Sequence, residues 1–242
     1  MAFSQSFPST DASTEPWVAR PQLALEAIGT EASPIVIIDG FAPDPDSLCA
    51  VARQTPLAPL GDYYPGVRGR LPAGYLEQVL PLLSPVLRRV YGFDGKVRVL
   101  RSLVSMATSH SSELTLAQRV PHIDGTSGSL IAIIHYLFVG DQGGTAFFRQ
   151  RSTGIERVSA DRHQLFLSAM QADFNRDGEP ESGYVGFSSP HFERIGMVEP
   201  QYNRAAIYPG NLLHCAALPN DRRLEPSPQS GRLTIATFLE TA

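Results

Sequence analysis

The sequence predicts an α+β chain with a mainly β core, a helical front half buttressing a β-rich back half. Three observations predict it. Apolar residues recur at helical spacing before residue 97 and at strand spacing after it. Gly and Pro number 20 each in 242 residues, a supply of turn formers that argues against a helical bundle. Hydrophobic residues make up 43% and charged residues 18%, an ordinary globular balance with enough apolar material for a sizeable core. The length suits one β-rich domain.

The elements follow in order. Residues 1–33 are Ser/Thr/Pro-rich at first and read as a flexible segment with one short helix over 21–28. Residues 34–242 read as a single domain, with 34–96 as helical support and 97–242 as the core. Pro34-Ile-Val-Ile-Ile38 is a compact β-branched run closed by Asp39-Gly40, a buried strand. Asp44-Pro-Asp-Ser47 starts a helix with proline just inside the cap, and Leu48, Val51 and Ala52 supply its apolar face. Over 71–91, Leu76, Val79, Leu80, Leu83, Leu87 and Val90 recur at helical spacing. Pro81 and Pro85 are expected to kink or split that helix. Strand-like segments then follow at 97–106, 119–124, 130–138, 145–148, 205–208, 212–217 and 232–239. Residues 171–193 are polar and Gly-containing and read as a long inserted loop, a kind that often carries function.

Composition excludes several classes. The net charge is −4 without a basic stripe, which argues against nucleic acid as a partner. Two cysteines, Cys49 and Cys215, make no disulfide scaffold and read as reduced thiols of a cytoplasmic protein. The N-terminus lacks the basic and apolar regions of a secretory signal. No segment reaches the roughly 18 apolar residues that a membrane span needs. The partners left are a small-molecule or peptide substrate, with a homodimer open as the assembly.

Three separated pieces carry chemistry. His122-Ile-Asp124 puts an imidazole and a carboxylate two residues apart, on one face if the segment is a strand; the same pattern describes a solvated strand end. His214 sits inside the apolar run 212–218, after the turn signal Pro209-Gly210-Asn211. Such a histidine is more often a hydrogen-bonded core residue than a ligand, but a buried imidazole needs a partner. Arg232, Thr234, Ala236 and Phe238 share one face of the last strand. An arginine facing inward there requires an anion, and its guanidinium grips a carboxylate in a two-bond fork. Two histidines and one carboxylate form the facial triad of non-haem Fe(II) oxygenases. Charge balances too: Fe(II), one Asp, a dianionic 2-oxo acid and one arginine sum to zero, as a dry cavity requires.

His122-Ile-Asp124, His214 and Arg232 with Thr234 resemble the iron(II)- and 2-oxoglutarate-dependent dioxygenase superfamily. The run 130–138 ending in Tyr136-Leu137-Phe138, followed by Gly143-Gly144-Thr145-Ala-Phe147, resembles its prolyl-hydroxylase-like branch. The resemblance covers about 97–240, and Tyr64-Pro65-Gly66-Val67-Arg68 marks an uncharacterised bacterial family within it. It implies a double-stranded β-helix (a jelly roll, cupin-like) buttressed by the N-terminal helices. It implies His122, Asp124 and His214 as Fe(II) ligands, and Arg232, Thr234 and Tyr136 as holders of the 2-oxoglutarate tail. The activity implied is hydroxylation with release of succinate and CO2. Asp124 favours this over the halogenases, where a small residue takes its place.

Two spacings depart from the family. His214 follows His122 by 92 positions, a gap that the 171–193 insertion would fill. Arg232 follows His214 by 18 positions, where nine or ten is common. Arg222 and Arg223 fall nearer that count but lie in a Pro-rich loop, so Arg232 is preferred. His191 is a rival third ligand, and His135 reads as a core residue. Tyr64, Arg68 and Arg149 are substrate candidates, with a packed surface loop or solvated side chains as the alternatives. The rival function is a cupin-like metal-binding sensor or scaffold without oxygenase turnover.

Overall fold

The computed structural model describes residues 20–71, 74–221 and 223–241. Two antiparallel sheets and three α-helices make up this part of the chain. The large sheet has, in spatial order, β1 (Gln22–Ile28), β2 (Ser33–Asp39), β9 (Arg204–Pro209), β6 (Ile131–Tyr136), β11 (Leu233–Thr241), β5 (Val97–Ala107), β4 (Gly66–Arg70) and β3 (Ala58–Pro59). The small sheet has the order β10 (His214–Ala216), β7 (Thr145–Gln150) and β8 (Phe192–Val198). The helices are α1 (Pro45–Gln54), α2 (Tyr75–Tyr91) and α3 (His163–Asp177).

The two-residue period of the strands sorts their side chains into two cores. On the outer face of the large sheet, Ile38, Val104, Ile133, Ile207 and Ile235 meet Ala52 of α1 and Val79, Leu83 and Leu87 of α2. On the inner face, Ala132, Tyr136, Ala206, Tyr208 and Phe238 meet Phe147 and Val198 of the small sheet. The helices therefore support the sheet from behind, and polar inner-face residues look into the space between the sheets.

Local sequence explains most elements. Asp44 caps α1, its carboxylate accepting from the Ser47 amide at 3.0 Å, with Pro45 at the first helical position. Asp44→Ala is expected to remove this cap and lower the urea unfolding midpoint. The buried face of α1 is Leu48, Cys49 and Ala52 rather than Leu48, Val51 and Ala52, for Val51 is exposed. Helix α2 runs through Pro81 and Pro85 without splitting. Both prolines are exposed and lie one turn apart, so the two carbonyls that they leave unpaired sit on the water side.

Four expectations are corrected. Residues 22–28 form strand β1, not a helix in a flexible segment, because all seven pair with β2; residues 1–19 lie outside the described part. Residues 119–124 are not a strand but a 3-10 turn (Leu116–Arg119) followed by a single bridge between His122 and His214. The stretch 171–193 is not one inserted loop: its beginning completes α3 and its end begins β8. Phe166 is buried, Met170 packs partly buried beside it, and Phe174 continues the same i, i+4 row. Strand β4 falls on the Tyr64–Arg68 stretch that reads as a loop, and it pairs along β5 from Gly66 to Arg70.

Candidate metal centre

The structure brings His122, Asp124 and His214 together, each offering one ligand atom within 4.8 Å of the others. Backbone geometry does this. Strand β9 ends in the large sheet at Pro209, and the chain crosses through Gly210-Asn211 to β10 in the small sheet. The His122 and His214 amides and carbonyls exchange two hydrogen bonds of 2.9 Å, and the Asp124 amide donates to the Gly210 carbonyl at 2.8 Å. A Cβ on Gly210 would stand 2.6 Å from the Leu130 side chain, so only glycine lets the crossing pass this close. The expected common face thus comes from a bridge to β10 rather than from a strand through 119–124.

The polar atoms are arranged as a metal-ligand set. His214 Nδ1 lies 2.8 Å from the Leu212 carbonyl, which places a ring proton on Nδ1 and leaves Nε2 as the ligand atom. That nitrogen lies 3.4 Å from Asp124 Oδ2. Asp124 Oδ2 is buried and has no hydrogen-bond partner. Two acceptors facing each other in a dry site repel unless a proton or a metal ion lies between them. Burial raises the Asp124 carboxyl above its usual range, against the pull of His214, Arg101 and Arg68. Enclosure, His214 and Arg68 push His122 well below the usual histidine range, although one edge of His122 stays open to solvent. The set is two imidazoles and one carboxylate, with His122 open to solvent.

Across the cavity, the last strand places its residues as the sequence suggests. Arg232 is 3% exposed. Its Nε donates to the Gly143 carbonyl and its Nη2 to the Gly144 carbonyl, each at 3.0 Å. These bonds fix the guanidinium and leave the Nη1 edge without a protein acceptor among the described residues. Thr234 pairs in register with Tyr136 on one side and Ser105 on the other, and its hydroxyl donates to the Ser105 carbonyl at 3.3 Å. The Tyr136 and Thr145 hydroxyls share a 2.6 Å hydrogen bond. The Gly143-Gly144-Thr145 turn therefore orients both Arg232 and Tyr136.

The other candidates divide. Arg149 is not presented as a substrate contact, for its guanidinium is committed to Glu156 and Glu193. Arg223 is exposed, and Arg222 lies outside the described residues. His191 stands apart from the triad and bonds the Gly178 carbonyl at 3.0 Å. His135 is a core residue between Tyr75 and Asn203, pushed down to about 4 by burial. Arg68 falls on the inner face of the large sheet, paired with Ser105 in one row with Thr234 and Tyr136, and the Tyr64 ring packs on its guanidinium. Three inner-face residues were missed by sequence reasoning: Arg101, Ser105 and Tyr208, the last ring 4.8 Å from the His214 ring. Applying the two-residue period to 97–107, as was done for Arg232, finds Arg101 and Ser105 on one face.

A family model matches residues 19–239, that of a family of unknown function designated DUF6445. The chain belongs to the DUF6445 family. No curated protein sequence matches this DUF6445 chain. Among solved structures, it is similar to HygX from Streptomyces hygroscopicus with nickel and 2-oxoglutarate bound, at 14% identity over 88% of this chain and 84% of that one, TM-score 0.44. It is also similar to an N-substituted L-amino acid dioxygenase from Burkholderia ambifaria AMMD, at 13% identity over 92% and 96%, TM-score 0.42. Among the described residues of the DUF6445 chain, no helix is long and apolar enough to cross a membrane.

Proposed function

We propose that this chain is an Fe(II)- and 2-oxoglutarate-dependent oxygenase on a double-stranded β-helix, hydroxylating a small-molecule or peptide substrate. The observation that carries the reading is His214 Nε2 facing the orphaned Asp124 Oδ2 beside His122. Two nitrogens and one oxygen on one side of an ion suit Fe(II) and leave positions open on the other.

Each protein group then has a task. His122, Asp124 and His214 hold the metal, and the Leu212 carbonyl fixes the His214 tautomer. Arg232, braced on Gly143 and Gly144, offers its remaining N–H edge to the far carboxylate of 2-oxoglutarate. Thr234 and Tyr136 flank that position on neighbouring strands. Phe147 and Tyr208 pack under the ligands and keep water from the metal's protein side. When bound, iron and 2-oxoglutarate supply the oxidation, consuming O2 and releasing succinate and CO2.

The test is anaerobic titration of the protein with Fe(II) and 2-oxoglutarate, followed by visible absorption. The expected result is the charge-transfer band of the chelate, with Arg232→Ala weakening 2-oxoglutarate binding by roughly tenfold to a hundredfold. An Arg232→Ala affinity equal to wild type would refute the cosubstrate assignment. Metal uptake without any band would favour the cupin-like metal-binding protein instead.

A further inference from the structure

The inner face carries a second cationic group that the oxygenase reading leaves unused. Arg68 projects from β4 beside Ser105, with its guanidinium carbon 3.9 Å from the Tyr64 ring centroid. Arg68 Nε is buried without a hydrogen-bond partner, and the Tyr64 and Ser105 hydroxyls lie beside each other in a long contact with no other partner. Ser105 is 1% exposed as a residue. A buried donor with no acceptor is costly, more so when charged, so the unpartnered Arg68 Nε beside two hydroxyls marks a place where something else binds. No carboxylate of the described residues lies within ion-pair distance of Arg68. Asp124 is the acid that acts on it electrostatically, and Asp124 is taken up by the metal in the proposed function. Arg101, on the same face four residues before Ser105, adds a second positive charge at the exposed rim, its guanidinium 4.2 Å from the Phe238 ring centroid.

Charge decides what belongs there. Metal, Asp124, 2-oxoglutarate and Arg232 already sum to zero, so Arg68, half-buried with its Nε enclosed, is one positive charge in excess. Tyr64 covers one face of its guanidinium, and a ligand must therefore approach in the guanidinium plane, from the edge. A planar monoanion that accepts two parallel N–H bonds meets both conditions. Resting on the oxygenase reading, we propose that Arg68, Tyr64 and Ser105 anchor a carboxylate of the primary substrate, with Arg101 at the entrance. The substrate class is then a carboxylic acid that carries its oxidised C–H a short distance from that group.

The experiment uses full-length protein loaded anaerobically with Ni(II) and 2-oxoglutarate, titrated calorimetrically with benzoate, hippurate, hippuramide and inorganic phosphate. Wild type is expected to bind hippurate or benzoate saturably and to ignore the uncharged hippuramide. Arg68→Gln is expected to weaken carboxylate binding by about tenfold or more while changing 2-oxoglutarate affinity by less than about threefold. Arg68→Lys, which keeps the charge but not the fork, should fall between. Tyr64→Phe gives a milder variant should Arg68→Gln unfold. The proposal is overturned if neither carboxylate binds loaded wild type, if phosphate binds in preference, or if Arg68→Gln costs 2-oxoglutarate affinity instead. Failure of wild type to take up Ni(II) or 2-oxoglutarate overturns the oxygenase reading. The probes are then read on unloaded protein, where Arg68-dependent hippurate binding sustains the anion site and its absence removes it.

Discussion

Asp124→Asn is expected to make the metal-free protein more stable, by about 1–2 kcal/mol, while lowering its affinity for divalent metal by roughly a hundredfold or more. The two effects share one cause. His214 Nε2 and Asp124 Oδ2 lie 3.4 Å apart, and Asp124 Oδ2 has no hydrogen-bond partner; without a metal ion or a proton between them, two acceptors at that distance repel. An amide in the same place turns one acceptor into a donor, and Nδ2–H can bond His214 Nε2. That removes the repulsion and also removes the charge that holds a metal. The gain depends on pH. The folded-state pKa of Asp124 is raised above its ordinary 3.8, so its ionised form is disfavoured by folding. Metal-free wild type therefore loses stability as pH rises from about 4 through the raised value, and Asp124→Asn does not. The stability gap between them should open upward with pH in urea titrations. A saturating metal reverses the order, because binding to the wild-type fold adds about 2.7 kcal/mol at a hundredfold excess over Kd. A variant that loses metal affinity without gaining metal-free stability would show that the facing acceptors are not the strained element. His214→Ala serves as the control that loses metal without creating the new hydrogen bond.

The triad was readable as a pattern of two histidines and one carboxylate, and the structure brings His122, Asp124 and His214 together. The inward position of Arg232 was legible from the strand period, but the sequence called for an anion there, and the acceptors found are the carbonyls of Gly143 and Gly144. The β-branched runs that became β2 and β6 declared themselves by composition. The failures have a common physical origin in tertiary pairing. QLALEAI reads as helical by residue propensity, yet the open edge of β2 pairs all seven residues of β1. Strand β4 contains two glycines, a loop signature. They are there because the backbone passes so close to its neighbours that a Cβ on Gly66 would stand 2.2 Å from the Met106 carbonyl oxygen. Missing β4 hid the register that sets Arg68 beside Ser105. Helix α3 was obscured by Leu165 and Leu167, large apolar residues that face water and blur the periodicity of Phe166, Met170 and Phe174.

Glu156→Ala is expected to be the most destabilising surface-remote substitution, at about 3 kcal/mol, or a melting temperature lower by roughly 6–12 °C. Glu156 is fully buried. It accepts from the Thr30 and Glu31 amides at 2.9 and 3.0 Å and from the Thr30 hydroxyl at 3.0 Å, and it pairs with Arg149. It thus ties the β1–β2 turn to β7 of the other sheet, across the two layers that enclose the metal centre. The packing admits no larger turn residue either, for a Cβ on Gly29 would overlap the Glu156 carboxylate, and Gly29 has φ +69°. Removing the carboxylate leaves two backbone donors and the Thr30 hydroxyl without their acceptor and Arg149 with Glu193 alone, and that loss sets the cost. Glu156→Gln keeps one acceptor oxygen and should cost about half as much. The pH dependence has the opposite sign to that of Asp124. Burial alone would raise the Glu156 pKa, but the two amides, Arg149 and the Thr30 hydroxyl outweigh it and hold the carboxyl below 4.5. Its contribution is therefore complete above about pH 4.5 and is lost as pH falls through the lowered value. Wild type and Glu156→Ala should converge in stability below that range and differ fully at neutral pH. A constant difference across the whole range would mean that packing, not the charge and its four donors, carries the effect.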